Sequence, residues 1–349
     1  MENVSVLAIT KNGIDIGVKL KEIFPDWKVY SPSKFSSDKN IFWYSEPTSE
    51  KIVELFKNNQ ALICLFSLGA VIRLIAPHLK DKKNDPAVIV IDDKTNFVIS
   101  VLSGHLGGAN ELTQTIAEKL NSISVITTAA DVNKTIAVDL LGRDLGWTID
   151  DDSTVTKISA HMVNEEKIGV YQDAGKTSWH KKLPNNVKIY KSFNDLKNSE
   201  SKGNLIISDK IMTDNLLKDS VVYRPPSLVI GIGLHWDTTK EIIKEGIDIS
   251  LEKFNLSSKS IAKLVSIKKP KNVQGLIDIG NEMGVPVEYV EREELALIST
   301  PNPSNLVKDF EGTSSVSEAA AIKVSGGELI VEKQKFPPNL TIAIARILN

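Results

Sequence analysis

The stretch Phe97-Val98-Ile99-Ser100-Val101-Leu102-Ser103-Gly104-His105-Leu106-Gly107-Gly108-Ala109-Asn110-Glu111 decides the fold, because an apolar strand run passes through a glycine-rich loop into a helix. Phe97 to Leu102 reads as a strand, Gly108 to Leu120 as a helix and Ser124 to Thr128 as the strand after it. Upstream, Val4 to Ile9 is a strand candidate, followed by Asn12-Gly13 and an amphipathic stretch to Phe24. Ala61 to Phe66 and Ala87 to Ile91 repeat the strand theme. Alternating strands and helices predict a mostly parallel α/β sheet in this N-terminal unit. The glycine-rich loop then falls on a strand-to-helix connection, where open α/β sheets bind ligands.

Three glycines, a histidine, an amide and a carboxylate converge between Ser103 and Glu111. Gly104, Gly107 and Gly108 let a ligand approach backbone N–H groups, and the N-terminus of the following helix favours anions. His105 is the one group there that titrates near neutrality.

At 349 residues, with 42% hydrophobic and 25% charged residues, the chain is long enough for two or three domains. Its 42 Lys+Arg against 44 Asp+Glu give a formal net charge of -2, which excludes a global basic field for nucleic acid. A single cysteine, Cys64, lies inside an apolar run and cannot pair within the chain, so a reducing, cytoplasmic setting is expected. Met1-Glu2-Asn3 lacks the basic start of a secretory signal. The apolar segment Ala61 to Pro77 is interrupted by Ser67, Gly69 and Arg73, and reads as a buried strand, a turn and a short helix rather than a membrane span.

After Asp131 one more helix is expected, about Thr135 to Leu145, leading through Asp150-Asp151-Asp152 into a region rich in Lys, Asn and Ser. Strands at Lys167 to Tyr171, Val187 to Tyr190 and Asn204 to Ser208 predict a small α/β middle module, in which His161 and His180 stand alone. Arg224-Pro225-Pro226 reads as a linker. The expected division is 1–134, 135–224 and 225–349. The last unit opens with a strand, Leu228 to Ile230, and a turn, Gly231-Ile232-Gly233; a dinucleotide fingerprint would need glycine at 236, which is Trp236. Thr238 and Glu241 have capping-box spacing. Thr313 to Ala321 is an N-cap-rich helix entry, read either as capping or as a second anion nest, and Leu329 to Glu332 and Leu340 to Ala345 follow as further strand candidates. The third unit is therefore an α/β domain as well. Five scattered histidines and one cysteine give no zinc-like spacing, so no protein metal site is expected.

Three blocks, Arg73 to Lys82 with Asp85-Pro86-Ala87-Val88, Ser103 to Glu111, and Val125-Ile126-Thr127-Thr128-Ala129-Ala130-Asp131, resemble in order and spacing the CbiG family of the anaerobic cobalamin pathway. The third unit resembles that family's C-terminal domain through Gly231-Ile232-Gly233, Val316 to Ala321, Glu332-Lys333 and Thr341 to Ala345. The resemblance is weak in the middle. Leu234-His235 stands where the family commonly carries Cys-Arg, Lys268 to Lys271 replaces a usual acidic pair, and Ala130 stands where threonine is common.

The resemblance implies a cobalt-precorrin-5A hydrolase. Such an enzyme opens a δ-lactone on ring A of a cobalt corrinoid and releases the extruded meso carbon with its methyl as acetaldehyde, a carbon–carbon bond hydrolysis. No cofactor is implied, since the cobalt belongs to the substrate. The chemistry needs attack by water, a held oxyanion and a delivered proton. His105 is then the expected general base or acid, with backbone N–H groups from Gly104 to Gly108 receiving the oxyanion or a substrate carboxylate. Asn110 and Glu111 hold the imidazole tautomer, and Asp131 orients water. Arg73, His78, Lys80, Lys82, Ser103, Thr127 and Thr128 are the expected substrate contacts, the cations pairing with carboxylates.

Each assignment has a rival. His105 caps the helix or ligates the substrate's cobalt, Glu111 only complements the helix dipole, His78 is a plain loop residue, Arg73 pairs with Asp85, and the lysines near 80 form a solvated face. A corrinoid is too broad for one loop, so a cleft shared with another domain or with a second copy in a homodimer is expected. Transient contact with neighbouring pathway methyltransferases is expected too. The alternative function is a non-catalytic carrier of a corrinoid intermediate.

Overall fold

The computed structural model describes residues 1, 3–81, 84–271 and 273–348. Lys82, an expected substrate contact, lies outside the described residues. The chain forms two compact units, Met1–Leu140 and Leu141–Asn349.

The first unit is a seven-stranded sheet flanked by helices. Its strands are β1 (Val4–Ala8), β2 (Lys28–Pro32), β3 (Phe42–Tyr44), β4 (Ala61–Leu65), β5 (Ala87–Ile91), β6 (Phe97–Leu102) and β7 (Ile123–Val125), in the order β3-β2-β1-β4-β5-β6-β7. Helices α1 (Lys11–Ile23), α2 (Thr48–Asn58), α3 (Leu68–Ile75), α4 (Ala109–Leu120) and α5 (Ala129–Val132) connect them. Every residue of β1, β4 and β5 is buried, as parallel strands covered on both faces require. One core packs Val6, Ile63 and Ile89 with Ile14, Leu20 and Ile116; the opposite face packs Leu7, Leu62 and Val88 with Ile52, Leu55 and Val71. Cys64 lies in that second core, where burial pushes its thiol pKa up.

All strand pairs in this sheet are parallel except β5 with β6. Only five residues separate Ile91 from Phe97, and a parallel return needs a crossover of roughly a dozen or more. The connection is therefore a hairpin, closed by Asp92, whose carboxylate accepts from the Phe97 N–H at 2.6 Å. This corrects the expected location of the glycine-rich loop. Leu102 pairs with Val88, at the start of β5, so the loop sits at the amino end of the parallel strands β1, β2, β4 and β5. It is at the carboxyl end only of the β6–β7 pair.

The second unit holds two sheets. The first contains β8 (Thr148–Ile149), β9 (Ile168–Gln172), β10 (Val187–Tyr190), β11 (Gly203–Ile207) and β12 (Ser220–Arg224), in the order β10-β9-β11-β12-β8, with α6 (Val155–Val163) and α7 (Phe193–Lys197). The second contains β13 (Leu228–Leu234), β14 (Ile261–Ile267), β15 (Val287–Val290), β16 (Leu329–Phe336) and β17 (Leu340–Arg346), in the order β15-β14-β13-β17-β16. It carries α8 (Lys240–Lys253), α9 (Gln274–Met283), α10 (Arg292–Ala296), α11 (Asn305–Glu311) and α12 (Val316–Ser325). β13 to β15 run parallel, and β17 is antiparallel to both β13 and β16.

Four expectations are corrected here. The helix over Thr135 to Leu145 is absent: the segment turns and holds only a single 3-10 turn, Arg143–Leu145, because Gly142 adopts φ 73° and folds Trp147 back onto it. Gly231-Ile232-Gly233 is not a turn, since β13 runs straight through it. A Cβ on Gly231 would lie 1.9 Å from the Ser317 carbonyl oxygen, so this glycine lets α12 lie on the sheet. The capping box fails, as α8 starts after Thr239, while Thr238 Oγ1 accepts from the His235 N–H. Arg224-Pro225-Pro226 is no loose linker either. Arg224 is buried, donating to Asp150 Oδ2 at 2.6 Å and to the Ser208 and Lys210 carbonyls.

Among the described residues, no helix is long and apolar enough to cross a membrane.

Candidate active site

The loop from β6 to α4 is folded tightly on itself. Ser103 takes φ 57°, a left-handed conformation unusual for a residue with a side chain, and its hydroxyl donates to the Asp85 carbonyl at 2.8 Å. The backbone then bonds its own carbonyls: Gly108 N–H to His105, Ala109 N–H to Ser103 and Asn110 N–H to Gly104, at 3.0 to 3.2 Å. The expected run of oxyanion donors is thus shortened by Gly108, whose N–H is spent. Gly104 is required because a Cβ there would meet Asn110 Oδ1 at 2.7 Å.

That fold presents His105, whose side chain is 13% exposed, between two carboxylates. Nε2 lies 2.9 Å from Asp131 Oδ2 and Nδ1 lies 3.2 Å from Asp139 Oδ1. Asp131 is the more open of the two, 38% against 17% exposed. An ionised carboxylate only accepts, so both contacts are hydrogen bonds when the ring carries both protons. The ring is held at both nitrogens, Nδ1 by the more buried Asp139 and Nε2 by the more exposed Asp131.

Asn110 is the brace. Its Nδ2 donates to Asp131 Oδ2 at 2.6 Å and to Thr128 Oγ1 at 3.0 Å, and its Oδ1 accepts from Ser100 at 2.6 Å. It therefore positions Asp131, and the imidazole is held by Asp131 and Asp139 rather than by Asn110 and Glu111. Glu111 is exposed in the first turn of α4, and its side chain has no hydrogen bond or ion pair among the described residues. Thr127 is exposed beside Thr128.

Asp85 ties a second loop to the same end of the sheet. Its buried carboxylate accepts from the Lys80 N–H through both oxygens, at 3.0 and 3.1 Å, leaving the Lys80 side chain exposed. His78, half-buried, ends the single 3-10 turn Ala76–His78 that precedes this loop. Arg73 does not pair with Asp85: its guanidinium turns back along α3 to the Gly69 carbonyl at 3.3 Å.

Sequence reasoning missed Asp139 and Ser100. Asp139 stands as a lone carboxylate in the apolar run Thr135-Ile136-Ala137-Val138-Asp139-Leu140-Leu141, and that was the available signal. Ser100, an interior polar residue of an otherwise apolar strand, gave a similar one. Among the described residues, no group of three or more His, Cys, Asp or Glu side chains is arranged to hold a metal ion.

Three family models match successive parts of the chain: cobalamin synthesis G N-terminal over residues 50–131, the cobalamin biosynthesis central region over 136–225, and cobalamin synthesis G C-terminus over 228–345. A cobalt-precorrin-5A hydrolase from Priestia megaterium is 40% identical over 98% of this chain and 94% of its own length. Another, from Salmonella typhimurium, is 29% identical over 95% of this chain and 94% of its own. Among solved structures, a cobalamin biosynthesis protein G homolog from Sulfolobus solfataricus is 25% identical, covering 99% of this chain and 98% of that one with a TM-score of 0.39. On the three family models, and above all the identity held along nearly the whole length of a curated relative, the chain belongs to the CbiG family of cobalamin-synthesis proteins.

Proposed function

We propose that the chain is a cobalt-precorrin-5A hydrolase that opens the ring A δ-lactone and expels acetaldehyde, with the cobalt arriving as part of the substrate. What carries the reading is His105 clamped between Asp131 and Asp139, in a chain 40% identical along its length to a hydrolase of that name.

The exposed Asp131 carboxylate swings from Nε2 to hold the attacking water, and the neutral His105 ring accepts the water's proton at the Nε2 so freed, while Asp139 keeps the ring oriented through Nδ1. The water oxygen adds to the lactone carbonyl. Backbone N–H groups early in the loop, that of Gly104 among them, stabilise the oxyanion. Collapse breaks the ester C–O bond, giving a carboxylate and a hydroxyl on the extruded carbon. Release of the hydroxyl proton to solvent then cleaves the bond between that carbon and the macrocycle. Acetaldehyde departs, the bonding electron pair enters the macrocycle, and the proton held by His105 is returned there. Asn110, itself tied to Thr128, holds Asp131 near the Nε2 edge of the imidazole, and Lys80 neutralises a peripheral carboxylate of the substrate.

Anaerobic incubation with cobalt-precorrin-5A, trapping the aldehyde as a hydrazone, tests this. Wild type is expected to release acetaldehyde and His105→Ala to lose at least about 100-fold in rate while keeping its fold. A folded wild type that binds the corrinoid and releases no aldehyde would leave the carrier reading in its place.

A further inference from the structure

A cleft of about 1280 Å³ opens in the C-terminal sheet domain, larger than the usual pocket for a drug-sized ligand. Its charge is one-sided. Lys268, Lys269, Arg292, Lys333 and Lys335 line it against a single carboxylate, Glu311. Glu311 is shared by Lys269 at 2.9 Å and Arg292 at 3.7 Å, and Lys268 pairs with Glu291 at the surface. Lys335 has no ion pair among the described residues, and the Lys333 ammonium donates to a neutral acceptor, the Asn302 carbonyl.

Burial holds the Lys333 pKa below its usual value; Glu318 opposes this and Lys335 adds to it. An ammonium in that position is stabilised by an incoming anion. Glu318, itself buried, accepts from the backbone N–H groups of Asn302 and Lys333 at 3.2 and 3.1 Å, so these two walls are tied together without a ligand. At the N-cap of α12, Ser315 is 1% exposed, lines the cleft and keeps a buried hydroxyl with no hydrogen-bond partner among the described residues. The start of a ten-residue helix adds its positive end to the same wall.

The other half of the lining is flat and apolar. Trp236 is 51% exposed and Phe310 73% exposed, large values for such side chains, and the Lys269 ammonium stands 5.3 Å above the Trp236 ring. Exposed rings beside surplus cations suit a planar apolar body with several carboxylates on its edge.

We propose that this cleft is a binding site for a corrinoid polycarboxylate, the aromatic side chains taking the macrocycle and Lys268, Lys333 and Lys335 its peripheral carboxylates. The ligand class rests on the corrinoid reading above, whereas the site rests on its own lining residues.

The full chain is titrated with cobyrinic acid, a stable corrinoid with free carboxylates, and with cobinamide, its amidated counterpart. The readout is the fluorescence quenching carried by Trp236, taken as the difference between wild type and Trp236→Phe. Saturable quenching by cobyrinic acid is expected, with cobinamide weaker by about tenfold or more. Lys268→Ala/Lys335→Ala, which removes two exposed side chains, is expected to lose about tenfold or more in affinity for cobyrinic acid, with circular dichroism unchanged. His105→Ala is expected to keep the Trp236 response while losing acetaldehyde release. Equal binding of the two corrinoids, unchanged affinity in the folded lysine variant, or no Trp236 response in wild type overturns the cleft assignment, whatever the activity assay gives. Quenching without acetaldehyde release from wild type overturns the hydrolase reading and supports the cleft.

Discussion

At the scale of single residues, Asp139 and Glu111 separate two ways in which a carboxylate sits near a histidine. Asp139 contacts Nδ1 directly and is mostly buried, so it acts through the imidazole as a positioning residue. Asp139→Asn keeps the shape and loses the charge that steadies the protonated ring. Its kcat for acetaldehyde release should fall by about 100-fold or more with KM nearly unchanged, and the pH–rate profile should shift. An unaltered profile would deny Asp139 that role. Glu111→Gln should leave turnover at the wild-type level and cost less than about 1 kcal/mol, since its carboxylate only faces the first turn of α4. His105 was legible in the sequence because an imidazole in a glycine loop is rare chemistry in a small space. Asp131 was legible with it, at the end of the next block, whereas Asp139 lies 34 residues away and meets the ring only through the turn that replaces the expected helix.

Elements carry the next layer. Gly231 shows how a strand interior gives up a side chain so that a helix backbone can approach. In Gly231→Ala the new methyl would meet the Ser317 carbonyl at 1.9 Å, and α12, with Val316 to Ala321 all buried, has no room to retreat. A loss of about 3 kcal/mol or more is expected, read as a lower urea midpoint at constant slope; an unchanged midpoint would mean that α12 moves freely. The motif Gly-Ile-Gly was visible, but a turn and a helix-packing strand use glycine for different reasons that composition cannot separate. The β5–β6 hairpin differs, since its five-residue spacer already excluded a parallel return. Periodicity finds strands without giving their direction, and direction decides which end of the sheet holds the site.

On the scale of the whole molecule, two arginine clamps hold the second unit together. Arg346, near the end of the chain, binds the fully buried Asp209 through two hydrogen bonds of 2.8 and 2.6 Å, and Ser227 donates to the same carboxylate at 2.8 Å. Asp209→Ala strands the guanidinium and should cost about 3–5 kcal/mol, measured by urea unfolding; a loss below about 1 kcal/mol would mean the pair behaves as a surface bridge. Arg224 does the same for Asp150. Burial alone would raise the Asp150 pKa, but Arg224 and then Lys259 outweigh it and hold the carboxyl below the usual carboxylate range. A depressed folded-state value contributes stability above the unfolded pKa of about 3.9 and loses it as pH falls through the folded value. Urea midpoints taken between about pH 6 and pH 2 should therefore drop on the acid side, and less steeply in Asp150→Asn. Identical acid limbs in the two proteins would rule the clamp out as a source of acid sensitivity.

The sequence by itself determined what short-range chemistry can determine: the apolar strands, the glycine-rich loop with its histidine, and the family to which those blocks belong. Burial periodicity and backbone permissiveness are written into neighbouring residues, so they survive reading one residue after another. The tertiary structure alone decided that β6 runs against β5, that Asp139 closes on His105, that β13 continues through its glycines, and that lysines from β16 and from the segment after β14 face one cleft. Those outcomes depend on which surfaces meet across tens of residues of intervening chain, and hydrogen bonds and charge pairs act through space over a few ångströms regardless of their separation in sequence.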